Sequence, residues 1–164
     1  MRSAGLWLSA LLLCATPLAA SAQEAQLQPD ENGDFLPDPT QETPLGEQEL
    51  LAAFSGQTHR GTYNFKRVDI ETFAFTETTS ADGTTHHRHG DKIDIGTWRV
   101  KRNVICFVYE DWDNGVNQHC FNVFKRGNCF YHFGLRSGSG GLGGAFTARS
   151  VHADETPDCE PSMV

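Results

Sequence analysis

The sequence predicts a mainly β protein, in which an antiparallel meander closes into a small barrel or half-barrel after one short N-terminal α-helix. Two observations lead to this prediction. From His59 onward, apolar and polar residues alternate with a period of two, which is typical of half-buried strands. Turn sequences rich in glycine or asparagine separate these runs at short intervals, which favours hairpins between neighbouring strands.

The N-terminus, residues 1–22, has the three parts of a secretory signal peptide. Arg2 supplies the charge, Leu6–Leu13 is a short apolar run, and Ala20–Ala22 is a small-residue cleavage site. We therefore expect a periplasmic or secreted protein without a membrane span, because no other stretch is apolar enough to cross a bilayer. The alternative is a lipoprotein signal with Cys14 as the lipidated residue, but Leu13 stands where a small residue is expected.

The net charge of −8 belongs mainly to the segment that follows the signal. Between Gln23 and His59 there are eight acidic residues and no Lys or Arg, whereas residues 60–128 are nearly balanced. An acidic chain argues against nucleic acid or anionic lipid as the main partner. Residues 23–42 are also rich in Pro, so we expect a disordered acidic linker there.

The β-barrel domain with its helix is predicted over residues 43–136. Thr43 is the expected N-cap, Pro44 fits the first turn, and Gly56 follows the last periodic residue. The apolar residues of this helix lie roughly on one face: Leu45, Leu50, Leu51 and Phe54. Such a helix before a set of strands usually plugs or flanks the sheet.

Seven strands are predicted from the alternation: Gly61–Val68, Thr72–Thr79, Thr84–His89, Lys92–Val100, Asn103–Trp112, Val116–Phe124 and Cys129–Leu135. Asn103–Trp112 is apolar on both faces, which indicates a strand covered on both sides. Residues 137–164 are assigned to a glycine-rich loop and a C-terminal tail, within which Ala145–Val151 is a candidate for a last strand. The loop lacks the Lys-Ser/Thr that a phosphate-binding loop requires.

Four cysteines remain after cleavage, and an even number in an exported chain indicates two disulfides. Asp113-Asn114-Gly115 is a hairpin turn between Cys106 and Cys120. With a three-residue turn the cysteines are one diagonal step apart on one face, and a slip of two places them directly opposite. Both registers favour Cys106–Cys120, and Cys129–Cys159 then follows by elimination.

Short motifs in this region resemble a family of small exported bacterial proteins, catalogued as a domain of unknown function (nine-nine-five). The motifs are Gly96-Thr97-Trp98, Cys106 on the next strand and Cys120-Phe121-x-Val123 on the third, together with Leu50–Thr58 and Ala81-Asp82-Gly83. The resemblance covers roughly residues 44–133. It implies export and a lipocalin-like β fold, and it supplies no catalytic residues. The Gly-x-Trp of lipocalins lies on the first strand, so their ligand pocket is not carried over.

A row of histidines is the most suggestive chemical feature: His86, His87, His89 and the nearby Asp91. On a strand, His87 and His89 point to one face and are suitable ligands for zinc, copper or nickel. Asp91, or His59 from a neighbouring strand, is a candidate to complete the site. The alternative is a polar hairpin without metal, and Arg88 disfavours a cation nearby.

Acid–base candidates occur only at the tip of the central hairpin, where Glu110, Asp111 and Asp113 lie near His119. Catalysis needs a pocket, which a solvated hairpin tip does not provide, and the sequence has no nucleophile elbow, triad spacing or zinc-protease helix. We therefore predict no enzymatic activity, no catalytic residues and no cofactor.

The aromatic residues have two interpretations, a packed core or the wall of a cavity for an apolar ligand. They are Tyr63, Phe65, Phe73, Phe75, Trp98, Phe107, Phe121, Phe130 and Phe133. The leading functional hypothesis is a non-enzymatic binding module for a small apolar ligand or an envelope protein partner. The alternative is a metal-binding protein that uses the histidine row.

Overall fold

The structure is a computed structural model that describes residues 36–39, 41–64, 72–110, 118–135 and 145–158. Within these ranges the chain forms one helix and eight strands. They are α1 (Glu47–Phe54), β1 (Gln57–Tyr63), β2 (Ala74–Thr79), β3 (Thr84–His89), β4 (Lys92–Lys101), β5 (Val104–Tyr109), β6 (Gln118–Arg126), β7 (Cys129–Gly134) and β8 (Ala145–His152). No helix in the described part of the chain is long and apolar enough to cross a membrane.

The strands form a closed antiparallel barrel in sequence order. Each strand pairs with the next, and β8 returns to pair with β1, with Tyr63 opposite Ala148 and His59 opposite His152. The predicted meander is confirmed, and the barrel is closed rather than half-open. The predicted domain boundary at residue 136 is too early, because the closing strand β8 lies beyond it.

The helix α1 begins later than the sequence predicts, and Thr43 is not its N-cap. Gly46 takes that position, and the carboxylate of Glu49 accepts its backbone N–H at 2.8 Å. The side-chain oxygen of Asn103, in the β4–β5 turn, accepts the N–H of Glu47 at 2.9 Å. The cap therefore depends on a residue far along the chain, which explains why the local sequence points elsewhere.

The same helix plugs one end of the barrel. Leu50 and Phe54 are 0% and 1% exposed, and they pack with Trp98, Ile105 and other inward side chains. Leu51, which the sequence places on the same face, is 43% exposed. The helix therefore buries a narrower face than the sequence predicts.

A second apolar cluster lies on the outside of the barrel, over β6, β7 and β8. It consists of Phe124, Cys129, Tyr131, Phe133 and Val151, with Leu36 and Phe146 packed against it. The strand that is buried on both faces is therefore β7. The sequence predicted this for Asn103–Trp112, but in β5, which lies within that range, buried and half-buried residues alternate.

Leu36 and Glu42 contribute to this outer side, although the sequence assigns residues 23–42 to the linker. Leu36 packs on the outer cluster, and the guanidinium of Arg126 donates to the carboxylate of Glu42. The packed structure therefore begins before residue 43. Residues 23–35 of the predicted linker lie outside the described residues.

Gly96 shows how closely β4 and β5 approach. A Cβ at this position would lie 2.0 Å from the carbonyl oxygen of Val108, a distance that no side chain tolerates. The neighbouring Trp98 points inward and donates its indole N–H to the carbonyl of Ser80 at 2.8 Å. Gly96 therefore permits the close approach of β4 and β5, and Trp98 connects β4 to Ser80, the residue after β2.

Candidate functional site

A cavity of about 260 Å³ lies inside the barrel. Its floor is Phe54 of α1, and its wall is built from residues of β1, β2, β5, β6, β7 and β8. Six aromatic rings line it: Phe54, Tyr63, Phe75, Phe107, Tyr109 and Phe121. Polar side chains share the lining, namely His59, Glu77, Gln118, His119, His132, Thr147 and Ser150.

The floor is held in place by stacking and by hydrogen bonds to the end of the helix. Phe54 stacks on His59 with 4.3 Å between ring centroids and 5° between ring planes. His59 Nε2 donates to the carbonyl oxygen of Ala53 at 3.1 Å, and His152 Nε2 donates to the same oxygen at 3.0 Å. The C-terminal turn of α1 is therefore fixed by side chains from β1 and β8.

We call the three residues His59, Ser150 and His132 the histidine–serine group. Because a carbonyl oxygen only accepts, the bond to Ala53 places the proton of a neutral His59 on Nε2. His59 Nδ1 then accepts from the hydroxyl of Ser150 at 3.3 Å, and that hydroxyl oxygen accepts from His132 Nε2 at 2.8 Å. The group is thus a continuous chain of hydrogen bonds between neutral rings.

Burial determines the charge of these two rings. Desolvation lowers the pKa of His59 to about 4, against the opposing effect of the Ala53 carbonyl. Desolvation also lowers the pKa of His132 to about 3, and the neighbouring His59 lowers it further. Both imidazoles are therefore neutral at pH 7, and the histidine–serine group adds no charge to the cavity.

We call the four residues Glu77, Thr85, His87 and Tyr109 the glutamate group. Glu77 is 6% exposed, and its Oε2 accepts from Tyr109 Oη at 2.7 Å and from His87 Nδ1 at 2.6 Å. Its Oε1 accepts from the hydroxyl of Thr85. Three donors around one carboxylate match an ionised side chain, which can only accept hydrogen bonds.

The tyrosines next to Glu77 complete this arrangement. Burial raises the pKa of Tyr109 well above its ordinary value, and the charge of Glu77 raises it further. Tyr63 Oη lies 3.3 Å from His87 Nε2, so a His87 ring with its proton on Nδ1 donates to Glu77 and accepts from Tyr63. The Tyr63 ring also lies 4.6 Å from the Phe75 ring, centroid to centroid.

The four residues predicted to bind metal are not brought together. His87 and His89 are buried and point into the barrel, with ring centroids 6.2 Å apart. His86 and Asp91 are exposed on the outside, and His59 belongs to the histidine–serine group. In the described ranges, no group of three or more His, Cys, Asp or Glu side chains is arranged to hold a metal ion.

The Cys106–Cys120 disulfide is confirmed. The two residues are directly opposite in the β5–β6 ladder, as in the slipped register, and their Cα atoms are 4.1 Å apart. Cys129 is also disulfide-bonded. Its predicted partner Cys159 lies outside the described residues, so that pairing stays a prediction.

Two of the four predicted acid–base residues lie within the described residues. His119 lines the cavity, whereas Glu110 is exposed, and Asp111 and Asp113 lie outside the described residues.

Four of the aromatic residues predicted as core or cavity wall line the cavity: Tyr63, Phe75, Phe107 and Phe121. Trp98, Phe130 and Phe133 are packed in the two clusters, Phe73 is 46% exposed, and Phe65 is not described.

Sequence reasoning missed Glu77, Tyr109, His132 and Ser150 as residues of the cavity. A signal for Glu77 was present, because the period of two places it on the same face as Phe75. The turn Ala81-Asp82-Gly83 also sets the β2–β3 register, which brings Glu77 opposite His87. His132 and Ser150 meet only through the β7–β8 pairing, for which the sequence offers no local signal.

Comparison of the chain with protein-family models, curated proteins and solved structures returned no match.

Proposed function

We infer that this barrel is a non-enzymatic binding module for a small, largely apolar molecule. The observation that carries this proposal is the cavity of about 260 Å³, whose lining includes six aromatic rings. Ligand sites are typically concave and mostly apolar, with a few polar groups that orient the ligand. By scaling from a 150 Å³ cavity that holds benzene, the site accommodates about ten non-hydrogen atoms.

The pairing of the polar groups supports binding without chemistry. Ser150 is hydrogen-bonded to His59 and His132, and desolvation lowers the pKa of these two imidazoles to about 4 and about 3, so neither is an effective base for the hydroxyl at pH 7. Tyr109 donates to Glu77. A general base works best with a pKa near the working pH, and burial also raises the pKa of Tyr109, so these groups support the cavity wall rather than acid–base chemistry.

The proposal is tested with indole, which has nine non-hydrogen atoms, by ligand-observed NMR. A rigid apolar molecule of this size is expected to bind with a Kd on the order of 0.1 to 1 mM. The substitution Ala148→Phe fills the cavity, because Ala148 lines it and is 3% exposed. Ala52→Phe makes the same change at an exposed position of α1 and is the matched control.

We expect indole to bind the unchanged protein and A52F, and not A148F. Circular dichroism establishes that both variants keep their β structure. Absence of binding to the unchanged protein, or equal binding to A148F, would overturn the proposal.

Native mass spectrometry of protein purified from its host tests the same proposal without a chosen probe. A retained organic mass supports the cavity as the site. A retained metal would favour the metal-binding alternative, and a bare mass would favour a protein partner. Export remains a prediction, which the N-terminal residue of the mature protein tests directly.

A further inference from the structure

We propose that the cavity selects small organic cations, an amine or a quaternary ammonium of about ten non-hydrogen atoms, through the carboxylate of Glu77 and the aromatic rings beside it. This inference rests on the proposed function, because it names the class of ligand for the same cavity.

The first argument is the charge of the lining. Glu77 lines the cavity at 6% exposure, and no Lys or Arg is among the described lining residues. His59 and His132 also line it, but desolvation lowers the pKa of each far below 7, so they supply no compensating cation. Asp94, on the neighbouring β4, adds to the negative potential that raises the pKa of Tyr109.

The second argument is the state of the carboxylate itself. An ionised carboxylate has about four acceptor sites, and Thr85, His87 and Tyr109 donate to three of them. One acceptor site therefore remains for a donor in the cavity. His87 Nδ1 donates to Oε2 at 2.6 Å, and the hydroxyl of Tyr63 lies 3.3 Å from the other ring nitrogen, Nε2.

The third argument is the position of the aromatic rings. Phe75 precedes Glu77 by two residues on the same inward face of β2, and Tyr109 is hydrogen-bonded to the carboxylate. Tyr63 lies against Phe75, with 4.6 Å between their ring centroids. Ring faces attract a cation through their quadrupole, and the attraction increases where water is excluded. The rings and the carboxylate therefore favour the same charge.

The test compares three probes of similar size and different charge. They are 2-phenylethylammonium, 2-phenylethanol and phenylacetate, titrated against the unchanged protein by NMR. A charge-assisted hydrogen bond to a buried carboxylate favours the cation over the neutral probe by roughly 10- to 100-fold. Phenylacetate is expected to bind more weakly than 2-phenylethanol, because two negative charges then share the cavity.

The variant Glu77→Gln removes the charge and keeps the size of the side chain. We expect E77Q to bind 2-phenylethylammonium within about threefold of 2-phenylethanol, since the charge-assisted contribution is lost. The matched control is Glu110→Gln, the same change at an exposed residue outside the lining. E110Q is expected to keep the full preference for the cation.

The outcomes separate the two proposals. If 2-phenylethanol binds the unchanged protein as tightly as the cation, the cation inference is overturned and the binding module remains. If none of the three probes binds while indole does, the cation inference is overturned and the binding module remains; if indole does not bind either, the proposed function is overturned as well. Because the comparison of probes is made on the unchanged protein, it decides the inference even if E77Q does not fold.

Discussion

The histidine–serine group and the glutamate group occupy the same barrel interior but differ in charge. The first consists of neutral side chains, because desolvation lowers the pKa of His59 to about 4 and that of His132 to about 3. The second keeps a carboxylate, to which Thr85, His87 and Tyr109 donate hydrogen bonds. A buried group is stable when it is neutral or when enough donors surround its charge.

Because the two groups differ in charge, we expect them to have different roles in the protein. The histidine–serine group is adjacent to the carbonyl of Ala53, and it fixes the end of α1 against the barrel. The glutamate group adds the negative charge to the wall of the cavity. The first group is therefore expected to determine stability and its pH dependence, and the second to determine which ligand binds.

The largest expected effect is at the floor of the cavity. Phe54→Ala removes a ring that is 1% exposed and stacked on His59, so we expect the free energy of unfolding to fall by about 3 to 5 kcal/mol. Urea denaturation measures this change. Leu51→Ala on the same helix is the control, because Leu51 is 43% exposed and its loss is expected to cost much less. Equal losses of unfolding free energy in the two variants would contradict the conclusion that Phe54 anchors α1 in the end of the barrel.

Acidification is the next largest effect. The pKa values of His59 and His132, about 4 and about 3, are below the ordinary 6.5, so the unfolded chain binds protons that the folded protein does not. The stability from these rings is complete above pH 6.5 and is lost as the pH falls toward these values. Between pH 7 and pH 5 we expect a loss of about 2 kcal/mol for each ring.

Carboxyl groups also titrate between pH 7 and pH 5, so the total loss of unfolding free energy does not identify the contribution of the histidines. Variants of single histidines are needed to identify it. His132→Gln is expected to decrease the difference between pH 7 and pH 5 by about half of the histidine contribution. His86→Gln removes an exposed histidine and should leave the difference unchanged. Denaturation at the two pH values measures both, and an unchanged difference in H132Q would contradict the assignment.

The Cys106–Cys120 disulfide should stabilise the barrel independently of either group. It closes a loop with a sequence separation of 14, for which loss of the bond costs about 3 kcal/mol. The double variant Cys106→Ala/Cys120→Ala tests this by urea denaturation. The hydrogen bonds of the two rings are made with Ala53 and Ser150 and not with the cysteines, so the loss between pH 7 and pH 5 should stay the same. A changed pH dependence would show that the two parts are coupled.

The smallest effects compare the two groups directly by removing one hydroxyl from each. Ser150→Ala leaves His59 Nδ1 and His132 Nε2 without their shared partner, and Tyr109→Phe removes one of three donors to Glu77. Each is expected to cost about 1 to 3 kcal/mol of unfolding free energy. Of the two variants, only Y109F should alter the preference for cationic probes, because Tyr109 donates to the Glu77 carboxylate and Ser150 does not. An equal change of preference in S150A would contradict the division of tasks.

Much of the fold was predictable because it depends on local sequence. The alternation around Phe75 and His87 predicts strands, and Gly83, with a φ of +90°, forms the turn between them. The Cys106–Cys120 pairing was predictable because both registers considered for the hairpin place the two cysteines on one face. The N-cap and the span of the barrel were not, because they depend on Asn103 and on β8, far away in the sequence.

The candidate site was predictable only in part. A period of two shows that His87 and His89 share a face, but not whether that face is the interior. The structure turns it inward, since both residues are 0% exposed, and places His87 on Glu77. His59 and His132 become neutral partners of Ser150 for a similar reason, because burial depends on which strands close the barrel.

Side-chain periodicity and short turns in the sequence thus predicted the order of neighbouring strands and one disulfide, although the first strand lies at Gln57–Tyr63 and not at Gly61–Val68. The three-dimensional structure added that the barrel is fully closed by β8 against β1, that α1 plugs one end rather than flanking the sheet, and that Glu77 is the single described carboxylate in the cavity lining. The physical reason is that burial and charge depend on contacts between distant segments. These contacts determine which polar side chains are desolvated, and hence what the cavity can bind.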